Sequence, residues 1–266
     1  MISDAEVSQA AADLLAAESA RRQIGLLSLR HPGMTLDDAY RIQIAQMAQK
    51  LDQGREIIGW KIGLTSKVMQ QALKIDTPDS GVLYDDMLFR SGDTVPKGRF
   101  IGPRIETEIA FVLKAPLEGE VSRADVLAAT DYVCPSIEIL DTRILRVDPD
   151  TGTPRIITDT VSDNAANAGI VLGEARHDPN AVDMRWVGAI VEVGGQVEAT
   201  GLGAAVLNDP VTGIVWLAKR MGNYGQRMEP GQVILSGSFI APIECPSGTD
   251  IRADFGQFGE VSISFE

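Results

Sequence analysis

Histidine and cysteine are scarce in this chain: two of each among 266 residues. His31 stands in LRHPGM and His177 in EARHDPN, both polar, turn-like contexts. Histidine-built metal sites and Ser/His or Cys/His nucleophile pairs therefore find little material here. Cys134 and Cys245 supply no disulfide framework and are expected as small buried hydrophobes. Cationic side chains are also short, 24 Lys and Arg against 37 Asp and Glu, for a net charge of −13. That balance argues against nucleic acid, whose phosphates need a basic surplus, and against an anionic membrane surface. No stretch approaches the roughly 18 apolar residues of a membrane span. The N-terminal MISDAEVSQAAADL lacks the apolar core of a secretory signal, so a cytoplasmic setting is expected. Internal repeats and linkers are missing too. What remains is a chain that is 44% apolar, enough for a substantial core. Its chemistry is left to carboxylates, lysine and hydroxyls.

Residues 1–55 read as helical and 56–266 as a larger, mostly β body. Val7, Ala11, Leu14 and Leu15 follow one helical face in a segment from Asp4 to Ile24. Thr35 and Asp38 form a capping-box pattern that opens a second helix through about Lys50, closed by Gly54. Beyond it, REIIGWKIGL, GVLYDDMLF, RIETEIAFVL, DYVCPSIEIL, AGIVLG, MRWVGAIVEV, QVILSGSF and VSISFE read as strands. Gly194-Gly195 marks a hairpin. Ser122 opens one short helix; Asp209 and Pro210 open another that Gly222 ends.

Glu106 and Glu108 share one face of an apolar strand, because strand side chains alternate with period two. Glu138 repeats the setting between Ile137 and Ile139. Adjacent carboxylates in apolar surroundings cannot all stay charged without a cation. The three glutamates thus either form an all-oxygen site for Mg²⁺ or Mn²⁺, or Glu106 and Glu108 face solvent on an edge strand. Lys61, in IIGWKIGLTS, is either a snorkelling surface lysine or a functional cation. Asp79 lies in the turn-like DTPDSG. TVSDNAANAG, with Ser162, is either a carboxylate-binding run of backbone amides or a plain polar loop. LSGSF, with Ser238, is either a hydroxyl pocket or an ordinary turn. Ser162-Asp163-Asn164 matches a penicillin-binding element, but no Ser-x-x-Lys accompanies it. GLGAAV lacks the third glycine of a dinucleotide loop.

GWKIGLTSKVMQ, PDSGVLYDDM, PRIETEIAFVL, ATDYVCPSIEILD, TVSDNAANAG and VILSGSF occur in an order and spacing that resemble the hydratase/decarboxylase family of the fumarylacetoacetate hydrolase superfamily. The resemblance runs over about residues 20–266. It implies an α+β fold, a mixed β-sheet roll with an N-terminal helical region. It also implies Glu106, Glu108 and Glu138 as ligands of Mg²⁺ or Mn²⁺, Lys61 beside the substrate and Asp79 approaching as acid or base. The long DPDTGTPRIITDTVSDNAANAG segment is most similar to the branch that hydrates a seven-carbon 2-oxo-4-ene dicarboxylate in aromatic catabolism. Arg143 and Arg155 are then candidates for the distal carboxylate, with Ser162 and Ser238 as hydroxyl partners. The implied assembly is a ring-type homo-oligomer, a pentamer or decamer. Sister activities are hydration of a five-carbon pentadienoate and decarboxylation of an oxalocrotonate; a non-catalytic partner subunit is the non-enzyme alternative.

Overall fold

Ser3 accepts from the backbone of Glu6, and Glu6 returns a bond to Ser3, a capping box that starts helix α1 (Asp4–Ala20). The helix stops short of Ile24 because Arg21 turns left-handed (φ 52°) and Ile24 joins the β body, donating its N–H to the Arg143 carbonyl at 2.8 Å. One turn, α2 (Leu27–Arg30), precedes α3 (Leu36–Asp52), which opens on the expected Thr35–Asp38 box. These helices bury Val7, Leu14, Leu27 and Ile42 together with Ile144 and Val161 of the body.

The computed structural model describes residues 1–66, 70 and 77–266; positions 67–69 of GWKIGLTSKVMQ and Asp76 of DTPDSG lie outside them. Strands β1 (Ile57–Gly63), β2 (Asp79–Tyr84), β3 (Leu88–Arg90), β4 (Thr94–Val95) and β5 (Arg104–Leu113) come first. After α4 (Arg123–Ala129) follow β6 (Thr130–Leu140), the short helix α5 (Ile157–Ser162) and β7 (Asn167–Leu172). A hairpin of β8 (Gly188–Val193) and β9 (Gln196–Leu202) turns at Gly194-Gly195, as expected. Helix α6 (Pro210–Gly222), capped by Asp209, leads to β10 (Val233–Leu235), β11 (Ile243–Glu244), β12 (Thr249–Asp254) and β13 (Glu260–Phe265). GVLYDDMLF is not one strand: a 3₁₀ turn at Asp85–Met87 separates β2 from β3.

Among the described residues the strands form two mixed sheets. The larger runs β2-β1-β10-β5-β6-β7-β3, with β11 also on β5; the smaller runs β4-β13-β12-β8-β9. One apolar cluster joins both sheets through Phe111, Ile137, Val171, Phe255 and Ile263. The architecture is the α+β mixed-sheet body with an N-terminal helical region that the resemblance implies. No helix among the described residues is long and apolar enough to cross a membrane.

Arg143 ties these parts together. It is buried, and its guanidinium pairs with Asp163 while donating to the carbonyls of Asp141, Asn167 and Asp163 at 2.9, 3.1 and 2.7 Å. Its own carbonyl receives Ile24. One side chain thus links the end of β6, the end of α5 and the start of β7. Removing one partner of a buried ion pair strands the other charge, at roughly 3–5 kcal/mol. Arg143→Ala should lose stability on that scale, read as a fall in urea midpoint at unchanged slope. A loss under about 1 kcal/mol would show that Asp163 is satisfied without it.

Candidate functional site

Strand alternation builds the site. On β1, Trp60 and Ile62 enter the apolar core, so Gly59, Lys61 and Gly63 take the opposite face. On β5, Arg104, Glu106 and Glu108 share a face while Ile105 and Ile109 pack inward. The antiparallel register sets Glu138 of β6 directly across from Glu106. Both strands lie inside the larger sheet, so the edge-strand alternative for Glu106 and Glu108 does not hold.

One carboxylate oxygen from each of Glu106, Glu108 and Glu138 lies within 4.8 Å of the others. Glu108 and Glu138 are buried; Glu106 is half-buried. Each buried glutamate is held by one oxygen only. Glu108 Oε2 accepts the Gly237 N–H at 2.6 Å, and Glu138 Oε1 accepts Asn167 Nδ2 at 2.7 Å. Their other oxygens, Glu108 Oε1 and Glu138 Oε2, have no hydrogen-bond partner among the described residues. Two full charges 4.8 Å apart repel by about 3.5 kcal/mol at an effective dielectric near 20. Burial, and then the charge of Glu138, push the Glu106 carboxyl up to about 8. Burial followed by Glu138 and Glu106 drives Glu108 well above the usual range. Three hard oxygens and two orphaned buried lone-pair positions match the donor set of a divalent cation of the Mg²⁺ or Mn²⁺ type.

Lys61 is 4% exposed, which removes the snorkelling alternative. Its Nζ lies 3.5 Å from Glu138 Oε1 and 4.0 Å from Asp79 Oδ1. Burial by itself would favour the neutral amine. Glu138, then Asp79, Glu106 and Glu108 outweigh it and raise the Lys61 pKa above its ordinary value. Asp79 does not sit in a turn; it opens β2 opposite Gly63, and burial raises its carboxyl against the pull of Lys61. Gly63 is required by this approach. A Cβ there would run into Asp79 Oδ1 and stand 2.9 Å from Lys61 Nζ. Gly237 meets a similar demand: it donates its N–H to Glu108 at φ +116°, and an added Cβ would run into the Thr65 side chain.

A cavity of about 430 Å³ opens beside these groups, lined by Lys61, Asp79 and Glu106 and by Arg155 and Ser238 of the expected set. Ser238 Oγ is tied to Ile240, accepting its N–H and donating to its carbonyl. Two expected residues are placed elsewhere. Arg143, expected to meet a substrate carboxylate, is committed to Asp163, and Ser162 is buried beside Gln46. TVSDNAANAG is neither of its two alternatives in full. It forms α5 and then three consecutive left-handed residues, Asn164, Ala165 and Ala166 (φ 49°, 50° and 62°). Asn164 pays for that strain by bonding Val82 through both ends of its amide, at 2.8 and 2.9 Å, and Ala165 and Ala166 wall the cavity. Two residues were missed. Arg104 lines the cavity and follows from the same period of two that exposed Glu106 and Glu108. Asn167 orients Glu138, and no local pattern marks it.

No family model matches the chain. It is 46% identical over 250 residues to the 2-oxo-hept-4-ene-1,7-dioate hydratase of Escherichia coli, covering 94% of each chain. It is 37% identical over 259 residues to the 2-keto-4-pentenoate hydratase of Paraburkholderia xenovorans, covering 97% of this chain and 94% of that one. The 4-oxalocrotonate decarboxylase of Pseudomonas putida G7, solved with magnesium and adipate, superposes with a TM-score of 0.94 at 31% identity, over 100% of this chain and 99% of that one.

If the triad takes a cation, the metal must displace the proton that Glu106 holds below about 8. Affinity should therefore climb as pH rises toward about 8, the Glu108 proton adding to the dependence. In EDTA-treated protein, Mg²⁺ or Mn²⁺ at about 100 times its Kd should stabilise by about 2.7 kcal/mol in thermal melts. Glu108→Gln and Glu138→Gln should each suppress that gain. An unchanged melt in wild type would remove the metal site.

Proposed function

The chain belongs to the hydratase/decarboxylase family of the fumarylacetoacetate hydrolase superfamily, and we propose that within it the protein is a Mg²⁺- or Mn²⁺-dependent hydratase of a seven-carbon 2-oxo-4-ene dicarboxylate. The observation that carries this reading is the three-glutamate cluster, which reaches one cavity through Glu106 beside Lys61 and Asp79. The 46% identity to a hydratase of that substrate supports the branch, and the magnesium and adipate held by the decarboxylase support the metal and the diacid. A homo-oligomer belongs to the same proposal.

A divalent cation held by Glu106, Glu108 and Glu138 would act as a Lewis acid toward the 2-oxo acid end of the substrate. The chain's own residues have to move protons. Hydration of an isolated 4-ene requires a proton to leave C3 and another to reach C5, bringing the double bond into conjugation; water then adds at C4. Among the described residues at the cavity wall, Lys61 Nζ and Asp79 Oδ1, 4.0 Å apart, are the pair suited to do this. With the glutamates neutralised, Lys61 keeps Asp79 as its close anionic neighbour among the described residues, and its ammonium loses the support of Glu138, Glu106 and Glu108. Lys61 is then the base at C3, and Asp79, whose carboxyl burial raises, the proton carrier for C5 or for water.

Purified protein with Mg²⁺ should convert the seven-carbon 4-ene diacid to its 4-hydroxy-2-oxo product with no CO₂ released. Release of CO₂ at a matching rate would place the chain with the decarboxylases instead. Lys61→Met should lower kcat by about 10²- to 10⁴-fold, the range for a lost general base, while the metal-induced thermal shift survives. Turnover within a few-fold of wild type would leave Lys61 with a structural role only.

A further inference from the structure

The wall of the cavity also carries charge of the opposite sign. Arg104 projects from the same strand face as Glu106, two residues away, about 6.6–6.8 Å along β5. Arg155 reaches the same cavity from the DPDTGTPRI segment. That segment is a tight hairpin rather than an open loop. Val147 pairs with Pro154, the Arg155 N–H meets the Arg146 carbonyl at 2.8 Å, and Asp148 caps the turn through Asp150 and Thr151.

Acids lie near this corner, Glu244 across the strand pairing from Arg104, Glu106 and Asp141 also around Arg104, Asp163 and Asp159 around Arg155, but none of them contacts either guanidinium among the described residues. Arg104, Arg146 and Arg155 converge on the corner, and Glu244 is bound to Arg146 at 2.8 Å. Among the described residues, neither Arg104 nor Arg155 has an ion pair or a side-chain hydrogen bond, and Arg155 Nη1 is buried without a partner. Burial and then Arg146 lower the Arg104 pKa. Burial lowers that of Arg155, with Arg104 and Arg146 adding to it against the attraction of Asp163. Unpaired guanidinium charge in a partly desolvated wall is costly, and the cost is relieved by an anion. The acidic bias of the chain, −13 overall, makes a cationic corner on one wall of a cavity the more specific.

We propose that Arg104 and Arg155 together form the receptor for the distal carboxylate of the substrate. The inference rests on the hydratase reading above and deepens it, because it names what selects a diacid over a monoacid. Arg104 comes from the rigid sheet and Arg155 from the hairpin, so the carboxylate is gripped from two independent elements. Arg143, buried against Asp163, takes no part.

The test compares two saturated ligands of equal length, neither of which can be hydrated: 2-oxoheptanedioate and 2-oxoheptanoate. Their Kd values are measured by calorimetry on the Mg²⁺-loaded protein. Wild type should bind the diacid about 10- to 150-fold more tightly, the value of one charge-assisted pair. Arg155→Gln and Arg104→Gln should each cut that ratio by about tenfold or more, and Arg155→Lys should retain an intermediate ratio. Because the readout is a ratio of two Kd values on one preparation, a variant that is partly misfolded still reports it. Equal affinities on wild type would overturn the diacid substrate itself. A wild-type preference that persists in both glutamine variants would overturn the arginine receptor and leave the hydratase reading standing. If Arg104→Gln weakens both ligands equally, Arg104 supports the neighbouring Glu106 and Arg155 acts alone.

Discussion

Three carboxylates share a space in which their mutual repulsion is several kcal/mol, and most of the structure around them serves to hold them there. Glu106 and Glu138 face each other because β5 and β6 hold one antiparallel register from Arg104–Leu140 to Val112–Tyr132. Glu108 is pinned by the Gly237 amide, and Glu138 by Asn167, each through one oxygen. Asn167 in turn begins β7, whose first carbonyl is held by Arg143. Arg143 also carries the joint with the N-terminal helices, so the helical region and the triad share one buried anchor. Lys61 provides the counter-charge within the protein, and the two orphaned oxygens are left for a cation.

The parts of this arrangement that depend on strand period were legible in the residues. Glu106 and Glu108 share a face in any strand, and Glu138 between two isoleucines is a carboxylate that must be explained. The capping boxes at Thr35 and Ser122, the Pro210 helix and the Gly194-Gly195 hairpin are local signals, and each stands where it was read. Arg104 obeys the same period as Glu106, yet an arginine after a proline reads as a strand end, and its role depends on what faces it. Lys61 was undecidable because burial is set by β2 and β10 on either side of β1, which local sequence does not reveal. Arg143 misled for the same reason: Asp163, twenty residues on, claims it. The left-handed Asn164–Ala166 run has no glycine to announce it, and is stabilised by a bond to a strand more than eighty residues earlier in the chain.

The cavity wall carries charge of both signs. The carboxylates Asp79 and Glu106, the guanidinium groups of Arg104 and Arg155 and the apolar Leu140, Ala165, Ala166, Phe239 and Ile240 all line it. In the proposed reading its occupant brings a cation-chelating head, a neutral or apolar middle and an anionic tail. The positive charge is local, since a chain with net charge −13 has no general attraction for anions. Attraction arises only where the protein's own acids are already spent, as Glu244 is on Arg146 and Asp163 on Arg143.

The two sets of charged groups also stand on different elements. The triad, Lys61 and Asp79 all lie on strands of one sheet, held by register and by close glycine contacts that tolerate no added atom. Arg155 lies at the base of a surface hairpin whose turn is closed by its own Asp148 and Thr151 bonds. A hairpin can be shortened or replaced without moving the strands, whereas a one-residue slip in β5 would turn both Glu106 and Glu108 away. The proposed proton chemistry and the proposed grip on the substrate's far end therefore rest on separable parts of this fold. The relatives that act on shorter or differently charged 2-oxo acids are consistent with that separation, since identities of 31–46% leave the whole fold in common.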